Sequence, residues 1–219
     1  MSLALFTLSP LNKYMKPISS SVRRLGMLLL VSGPSGSGKT TLCRRASDAG
    51  LASYAISCTT RAARPGEVHG TDYFFLSIDE FKEKIKNKNL LEYAEVHGNF
   101  YGTLTSEVYT HIEAGRDVVM DIDVQGAEHI RNCPDPIIQQ ALVELFVMPA
   151  SEADLRSRLT ARGTDSDEII EIRMRNALEE MQHWNKYTYR LLSTDRETDY
   201  QKFQSILTTE SLRVSRLLD

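Results

Sequence analysis

The sequence predicts an α/β fold in which helices cover both faces of a parallel β-sheet, giving three layers. Three short apolar segments carry this prediction: MLLLVS at 27–32, DVVMDI at 117–122 and LVELFVM at 142–148. Each has the length and near-continuous hydrophobicity of a strand that is buried on both faces. Helical patterns lie between them, an alternation that is typical of parallel sheets.

Helices are predicted next to each apolar segment. The first strand is followed by a helix from about Lys39 to Ala49, which Gly50 ends. A helix ending near Gly115 precedes the second strand, and Pro149 stops the third. Residues 151–163 form a short helix in which Ser151 and Asp154 match a capping box. A longer amphipathic helix follows, with one apolar stripe: Ile170, Met174, Ala177, Leu178 and Met181.

The stretch from 57 to 106 has shorter strands and more turns than the rest of the chain. It contains DYFFL at 72–76, a helix from Ile78 to about Asn87, LLEYAEV at 90–96 and a turn at 97–99. We therefore expect an inserted mixed α/β lobe at 57–106 and a short helical lid at 151–172. The core would consist of residues 27–56, 107–150 and 173–219.

Composition restricts the class of protein. The chain has 219 residues, of which 42% are hydrophobic and 25% charged, as in ordinary globular proteins. The net charge of -3 argues against binding to a nucleic-acid polymer, and no apolar run reaches the roughly 18 residues of a membrane-spanning helix. Three cysteines without a Cys-x-x-Cys pair favour a reducing, cytoplasmic location.

Residues 1–26 differ from the predicted core because they carry four basic residues and no acidic one. We expect a flexible extension ahead of a core that begins at Met27. A targeting peptide is the alternative, since such peptides are also basic and poor in acids.

The segment GPSGSGKT at 33–40 matches G-x-x-x-x-G-K-[ST] and lies between the first predicted strand and its helix. Its glycines allow backbone N–H groups to surround phosphate oxygens, and the following helix directs its positive end at the same anion. Lys39 supplies charge to the β- and γ-phosphates of ATP, and Thr40 offers a hydroxyl to Mg²⁺. The predicted ATP-binding residues are Gly33, Pro34, Ser35, Gly36, Ser37, Gly38, Lys39, Thr40 and Thr41.

The flanking strand and helix exclude a chance Gly/Ser-rich turn. The motif alone nevertheless leaves GTPases, ATPases, motors and small-molecule kinases open. The acceptor must be identified elsewhere in the sequence.

A second candidate phosphate site lies in ISCTTRAARPGEVHGTDYFF at 56–75. Arg61 and Arg64 stand three residues apart near Ser57, with Tyr73 downstream. Guanidinium groups pair bidentately with phosphate oxygens, so these side chains could bind a phosphate dianion. A solvated polar loop is the alternative interpretation.

Together these segments resemble the guanylate kinase family, and the resemblance extends from Met27 to about Trp184. The matching blocks follow the family's order: GPSGSGKTTL, S-x-TTR-x-x-RPGE-x-x-G-x-DY-x-F, LLEYAEVHGNFYGT, DIDVQG and R-x-x-x-RGT at 158–164. The resemblance implies an ATP:GMP phosphotransferase with a P-loop NTPase core, in which the inserted lobe binds GMP, and we expect dGMP as well.

The resemblance also assigns the acceptor site. It implies that Ser57, Arg61, Arg64, Tyr73 and Tyr101 bind the GMP phosphate, and that Glu92, Thr103 and Asp123 recognise guanine. A carboxylate can accept from guanine N1–H and N2–H₂ together, whereas adenine lacks that donor pair. A surface strand carboxylate is the alternative for Glu92.

Asp121 ends the second apolar strand, where P-loop enzymes often hold an acidic residue near Mg²⁺. We assign Asp121 to the metal site, acting through water. Simple capping of the next helix is the alternative for both Asp121 and Asp123.

The resemblance makes Arg158 and Arg162 lid residues over the ATP phosphates, joined by Arg173, so that these three and Lys39 form the catalytic set. An i,i+4 salt bridge from Asp154 to Arg158 is the alternative for the lid. One departure is visible: Ser193 and Thr194 stand where the family usually has Asn-Asp near the adenine.

Two other functions are open at this stage. A non-catalytic interaction module with the same fold is disfavoured by the complete phosphate loop and lid arginines. A kinase for another monophosphate or a sugar phosphate is disfavoured by Glu92, Thr103 and Asp123. We expect ATP and GMP as the partners, with Mg²⁺, no nucleic-acid polymer and no membrane, and a monomer or homodimer.

Overall fold

A computed structural model describes residues 23–96, 98–161 and 166–218. Its strands are β1 (Arg23–Arg24), β2 (Leu28–Ser32), β3 (Ser53–Tyr54), β4 (Ser57–Thr59), β5 (Phe74–Phe75), β6 (Leu90–Val96), β7 (Asn99–Leu104), β8 (Val118–Asp121), β9 (Leu142–Pro149), β10 (Tyr189–Ser193) and β11 (Leu217–Leu218). Its α-helices are α1 (Lys39–Asp48), α2 (Ile78–Lys86), α3 (Thr105–Ile112), α4 (Val124–Arg131), α5 (Pro136–Ala141), α6 (Glu152–Thr160), α7 (Asp167–Met181) and α8 (Arg196–Ser211). Among these ranges, no helix combines the length and the apolar character needed to cross a bilayer.

The central sheet has the strand order β10-β9-β2-β8-β3, and all of its strand pairs are parallel. This confirms the predicted α/β class. Val31 pairs with Asp121 at the carboxyl ends of β2 and β8. Consequently the phosphate loop after β2 and the acidic residue that ends β8 reach the same edge of the sheet, where ligands bind in open α/β folds.

The two faces of β2 are covered by different helices, because alternate strand residues point to opposite sides. Leu29 and Val31 pack in a cluster with residues of α1 and α8. Leu28 and Leu30 pack in a second cluster with residues of α3, α4 and α5. The sheet is thus the middle of three layers, as its apolar strands predicted.

The inserted lobe has its own sheet, with the order β5-β4-β7-β6 and both parallel and antiparallel pairs. Helix α2 begins with a capping box between Ser77 and Glu80. An ion pair of 2.8 Å connects Arg44 of α1 with Asp72 of the lobe. The lobe therefore contacts the core beside the phosphate loop.

The predicted lid corresponds to α6 and the start of α7. The Ser151 hydroxyl accepts from the Asp154 backbone N–H at 3.1 Å and so caps α6. The two helices share a small apolar cluster: Leu155, Leu159, Ile170, Met174 and Ala177. Arg162 lies outside the described residues.

The packed chain begins before Met27, which corrects the predicted start of the core. Arg23 and Arg24 pair with β11 in a two-stranded antiparallel sheet. The Arg24 guanidinium and the Met27 backbone N–H both donate to the Asp117 carboxylate, at 2.9 and 2.7 Å. Residues 23–26 belong to the core because these long-range contacts hold them, although their local sequence resembles that of the extension.

Candidate active site

The phosphate loop adopts the backbone conformation that its glycines predict. Gly33, Gly36 and Gly38 have φ values of 140°, 89° and 99°. A Cβ atom at Gly33 would lie only 2.3 Å from the Val147 carbonyl oxygen, so a side chain there would be excluded by the neighbouring strand as well as by its φ. The loop is thus held close against β9.

Lys39 lies over the loop that precedes it. Its Nζ donates to the carbonyl oxygens of Gly33 and Pro34 at 2.5 and 3.0 Å. A cavity of about 300 Å³ adjoins the loop, and Asp121, Asp123 and Glu180 line part of it. Most of the predicted ATP-binding residues line the rest: Gly33, Ser35, Gly36, Gly38, Lys39, Thr40 and Thr41. Ser37, also a residue of this loop, is 1% exposed and lines a different cavity.

The Asp121 carboxylate has two hydroxyl partners. Thr40 Oγ1 donates to one of its oxygens, and Tyr54 Oη donates to the other at 2.7 Å. Burial raises the pKa of Tyr54, and the negative charge of Asp121 adds to this rise. The two residues predicted to lie near the metal are therefore in direct contact, with Asp121 oriented by a tyrosine that the sequence analysis did not identify.

A second cavity, of about 360 Å³, adjoins the phosphate loop at Lys39 and Ser35. Five of the eight predicted acceptor-site residues line it: Ser57, Tyr73, Glu92, Tyr101 and Asp123. Ser57 is on β4, Tyr73 directly precedes β5, Glu92 is on β6, Tyr101 is on β7 and Asp123 directly precedes α4. We call this space the acceptor cavity.

Glu92 is the most strongly perturbed acid in the acceptor cavity. Burial raises its pKa to about 7, hydrogen bonds from Thr103 oppose the shift, and the charge of Asp123 adds to it. A Cβ atom at Gly126 would lie 3.1 Å from Glu92 Oε2, so α4 approaches the carboxylate closely. Glu92 is 6% exposed, which rules out the surface-carboxylate interpretation.

Asp123 and Thr103 are near this carboxylate and act on its pKa in opposite directions. Asp123 accepts from the Gly126 backbone N–H at 2.8 Å and caps α4, so the helix-capping interpretation is correct for Asp123, which also lines the cavity. Thr103 is fully buried, and its hydroxyl is 3.5 Å from that of Ser57.

Arg61 and Arg64, the predicted phosphate ligands, both contact Glu67. Arg61 forms a bidentate ion pair with Glu67 at 2.9 and 3.0 Å, and Glu67 also accepts from the Arg64 backbone N–H. The hydrogen bond from Arg61 is the main reason why the pKa of Glu67 is lowered. Arg61 stays near the acceptor cavity, because its Cζ is 5.5 Å from the ring centroid of Tyr73.

Two of the three predicted lid arginines, Arg158 and Arg173, line different cavities. Arg158 forms the i,i+4 ion pair with Asp154 at 2.9 Å, the alternative that the sequence left open, and it also donates to Ser193. It lines a third cavity, of about 730 Å³, with Thr41 and Thr194. Arg173 lines the acceptor cavity.

Glu180 is a residue of this region that the sequence analysis missed. It lines both the phosphate-loop cavity and the acceptor cavity. Burial raises its pKa, although the positive charge of Lys39 acts in the opposite direction. Glu180 is seven residues after Arg173 and three after Ala177, so all three lie on the same face of α7. This spacing is the sequence signal that could have identified Glu180.

A glycine loop between a parallel strand and a helix, adjoined by an acceptor cavity in an inserted lobe, defines a small-molecule kinase of the P-loop NTPase class. The family model described as "Guanylate kinase" matches residues 26–210. The chain belongs to the guanylate kinase family, as its sequence motifs predicted.

Individual relatives agree with this assignment. Guanylate kinases of Ruegeria pomeroyi and Maricaulis maris are 43% and 45% identical to the chain over 192 and 193 residues, which is 87% of this chain and 88% and 86% of theirs. The crystal structure of guanylate kinase from Anaplasma phagocytophilum is similar with a TM-score of 0.73 and 29% identity, over 90% of this chain and 92% of that chain.

Proposed function

We propose that the protein transfers the γ-phosphoryl group of ATP to GMP, and to dGMP, releasing ADP and the nucleoside diphosphate. One observation carries the proposal: the acceptor cavity combines the buried carboxylate of Glu92 with the hydroxyl groups of Ser57, Tyr73 and Tyr101, and it adjoins Lys39 of the phosphate loop. A base with paired donors and a phosphate can be bound there beside the donor site.

Recognition of the base depends on Glu92. Its ionised carboxylate accepts from N1–H and N2–H₂ of guanine, while Thr103 and Asp123 complete the polar surroundings. Adenine cannot supply that donor pair, so with adenine bound the buried carboxylate would lack the two donors that guanine provides. Such a mismatch discriminates by about 10⁴-fold in sites built around hydrogen bonds.

Recognition of the acceptor phosphate is assigned to the three hydroxyl groups together with Arg61 and Arg64. The phosphate competes with Glu67 for the Arg61 guanidinium, which is already near Tyr73. Because Arg pairs with phosphate as strongly as with carboxylate, a dianion can replace Glu67 as its partner.

The donor side is assigned to the loop of residues 33–41. Its backbone N–H groups and Lys39 bind the ATP phosphates, with Lys39 leaving its contacts to the loop carbonyls. The oxygens of Thr40 and Asp121 fit Mg²⁺, a hard cation that prefers oxygen ligands, with Asp121 acting through water. Their mutual contact supports a shared role at the metal. When bound, the metal would offset charge on the phosphates.

The transfer step needs no nucleophilic side chain. An oxygen of the GMP phosphate attacks the γ-phosphorus, and the bond to the β-phosphate oxygen breaks. The charge of the phosphates is offset by Lys39, Arg158, Arg162 and Arg173, and the two cavities bring the reactants together.

We place the protein in the cytoplasm, where its free cysteines Cys43, Cys58 and Cys133 would stay reduced.

The test is ADP release with ATP and Mg²⁺ over a panel of GMP, dGMP, AMP, CMP, UMP and dTMP. We expect stimulation by GMP and dGMP, and its absence would refute the proposal. Lys39→Ala should abolish turnover, whereas Lys82→Ala, at an exposed position on α2, should not.

The base assignment has its own test. Glu92→Gln should raise the KM for GMP by about 10- to 100-fold, because an amide places a donor against the guanine donors. The KM for ATP should change little. The matched control is Glu95→Gln, an exposed carboxylate on the same strand. An unchanged GMP preference in Glu92→Gln would show that guanine is recognised elsewhere.

A further inference from the structure

Ser193 and Asp199 form a buried polar pair on the wall of the third cavity, the one of about 730 Å³, which we call the donor cavity. They are 2% and 6% exposed, and the Ser193 hydroxyl lies 2.8 Å from Asp199 Oδ2. The other oxygen of Asp199 accepts from the Thr194 backbone N–H at 3.0 Å. Asp199 therefore holds the end of β10 from the first turn of α8.

The lid contacts this pair through one arginine. Arg158 Nη1 on α6 donates to Ser193 Oγ at 3.1 Å. A carboxylate accepts and a guanidinium only donates. The Ser193 proton must therefore point to Asp199, which leaves an oxygen lone pair of Ser193 to accept from Arg158. The order of the three groups fixes the direction of both hydrogen bonds.

Only one of the two side-chain partners of Arg158 described above belongs to the core. Asp154 is on α6, the helix that also carries Arg158, whereas Ser193 is on β10 of the central sheet. Among the hydrogen bonds of the described residues, Arg158 Nε donates to Asp154 and Nη1 donates to Ser193, while Nη2 lies 2.9 Å from the other Asp154 oxygen in the ion pair. Arg158 lines the donor cavity, which also contains Gly36, Gly38 and Thr41. A guanidinium has five N–H donors, so those not used by Asp154 and Ser193 are available to a ligand bound in that cavity.

We propose that Ser193 is a positioning residue for the donor nucleotide: its hydroxyl, oriented by Asp199, holds the Arg158 guanidinium at the donor cavity before ATP binds. This inference rests on the proposed function, which assigns ATP to the phosphate loop. An arginine whose side chain is already ordered loses less conformational entropy when it binds a phosphate. The serine that departs from the family's usual Asn-Asp thus connects the lid to the core.

The test is a double-mutant cycle between Ser193 and Arg158, read by the affinity for a non-hydrolysable ATP analogue with Mg²⁺. We expect Ser193→Ala to weaken binding about three- to tenfold, the size typical of losing one ordered hydrogen bond. In an Arg158→Ala background the same change should add less than about twofold, because the two residues act as one unit. In turnover, KM for ATP should rise while KM for GMP stays constant.

Three further variants complete the experiment. Ser193→Thr keeps the hydroxyl and should bind the analogue as the unmodified chain does. Ser205→Ala, which removes an exposed hydroxyl from α8, should have no effect. Ser193→Cys, whose thiol is a weak hydrogen-bond group, replaces the alanine variant if that one fails to fold.

Unchanged affinity in Ser193→Ala would overturn the inference, and so would an equal loss in the Arg158→Ala background. Failure of the unmodified chain to bind the analogue would instead overturn the donor assignment of the proposed function.

Discussion

Thr103 lies directly opposite Glu92 across the β6–β7 pair, and its hydroxyl and backbone N–H both act to lower the pKa of the Glu92 carboxyl. These donors favour the ionised form of Glu92. Burial outweighs them, and the pKa of Glu92 is raised to about 7. At neutral pH the group assigned to guanine recognition is therefore divided between its two protonation states.

GMP affinity should consequently increase with pH. A neutral carboxyl carries a donor that opposes the guanine donors, so GMP should bind more weakly below about pH 7 and more tightly above it. The measurement is GMP affinity by calorimetry from pH 5.5 to 8.5. The phosphate of GMP also titrates, near pH 6. Glu92→Gln is therefore the reference, and a curve identical to that of the unmodified protein would contradict the prediction.

Stability should show the opposite trend with pH in the absence of GMP. The folded pKa of Glu92 is above the ordinary value of 4.5, so the folded chain binds more protons than the unfolded chain between about pH 4.5 and 7. The free energy of unfolding therefore falls as pH rises through this window. The loss is of the order of a few kcal/mol, since one pKa unit is about 1.4 kcal/mol. Urea unfolding at pH 5 and pH 8 measures it.

Glu92→Gln again serves as the control for the stability measurement, because it cannot titrate. Its stability relative to the unmodified chain should be greater at pH 8 than at pH 5. A difference that is the same at both pH values would assign the pH dependence to other groups.

The ion pair between Arg44 and Asp72 should have a small effect, although it joins the core to the lobe. Both side chains are about one-third exposed, at 36% and 28%. Solvent and salt screen such pairs, so Arg44→Gln and Asp72→Asn should each cost under about 1 kcal/mol of unfolding free energy. The double variant should cost less than the sum. Additive costs would show that the two residues do not interact measurably.

Arg216 should be far more important for stability than its position near the end of the chain suggests. It is 1% exposed and pairs with Glu210, which is also 1% exposed, at 3.1 Å. Arg216→Ala leaves a buried carboxylate with fewer partners and should cost about 3–5 kcal/mol. Arg213→Ala removes a half-exposed partner of the same carboxylate and should cost under about 1 kcal/mol. Equal losses measured by urea unfolding would contradict this distinction.

Features fixed by short segments could be predicted from the sequence. Strands β2, β8 and β9 follow from apolar runs, and the positive φ values of Gly33, Gly36 and Gly38 follow from a local motif. The family resemblance assigned Glu92 and Asp123 to one site, although they are 31 positions apart in sequence, and both line the acceptor cavity.

Contacts between distant segments could not be predicted in the same way. Arg24 and Asp117 are 93 residues apart, and neither belongs to a recognisable motif. The partner of Arg61 could not be chosen from sequence either, because a phosphate and the Glu67 carboxylate suit a guanidinium equally well. Such choices depend on three-dimensional proximity and on which ligand is bound.

The pairing of β1 with β11 has a consequence for amide hydrogen exchange. The backbone N–H of Leu25 donates to Arg216 O, and that of Gly26 donates to Ile112 O, both at 2.7 Å. The Leu25 hydrogen can exchange only when β1 separates from the segment that contains the buried Arg216. Two segments at opposite ends of the described chain should therefore gain deuterium together, as one cooperative unit that opens late instead of two independently fraying ends.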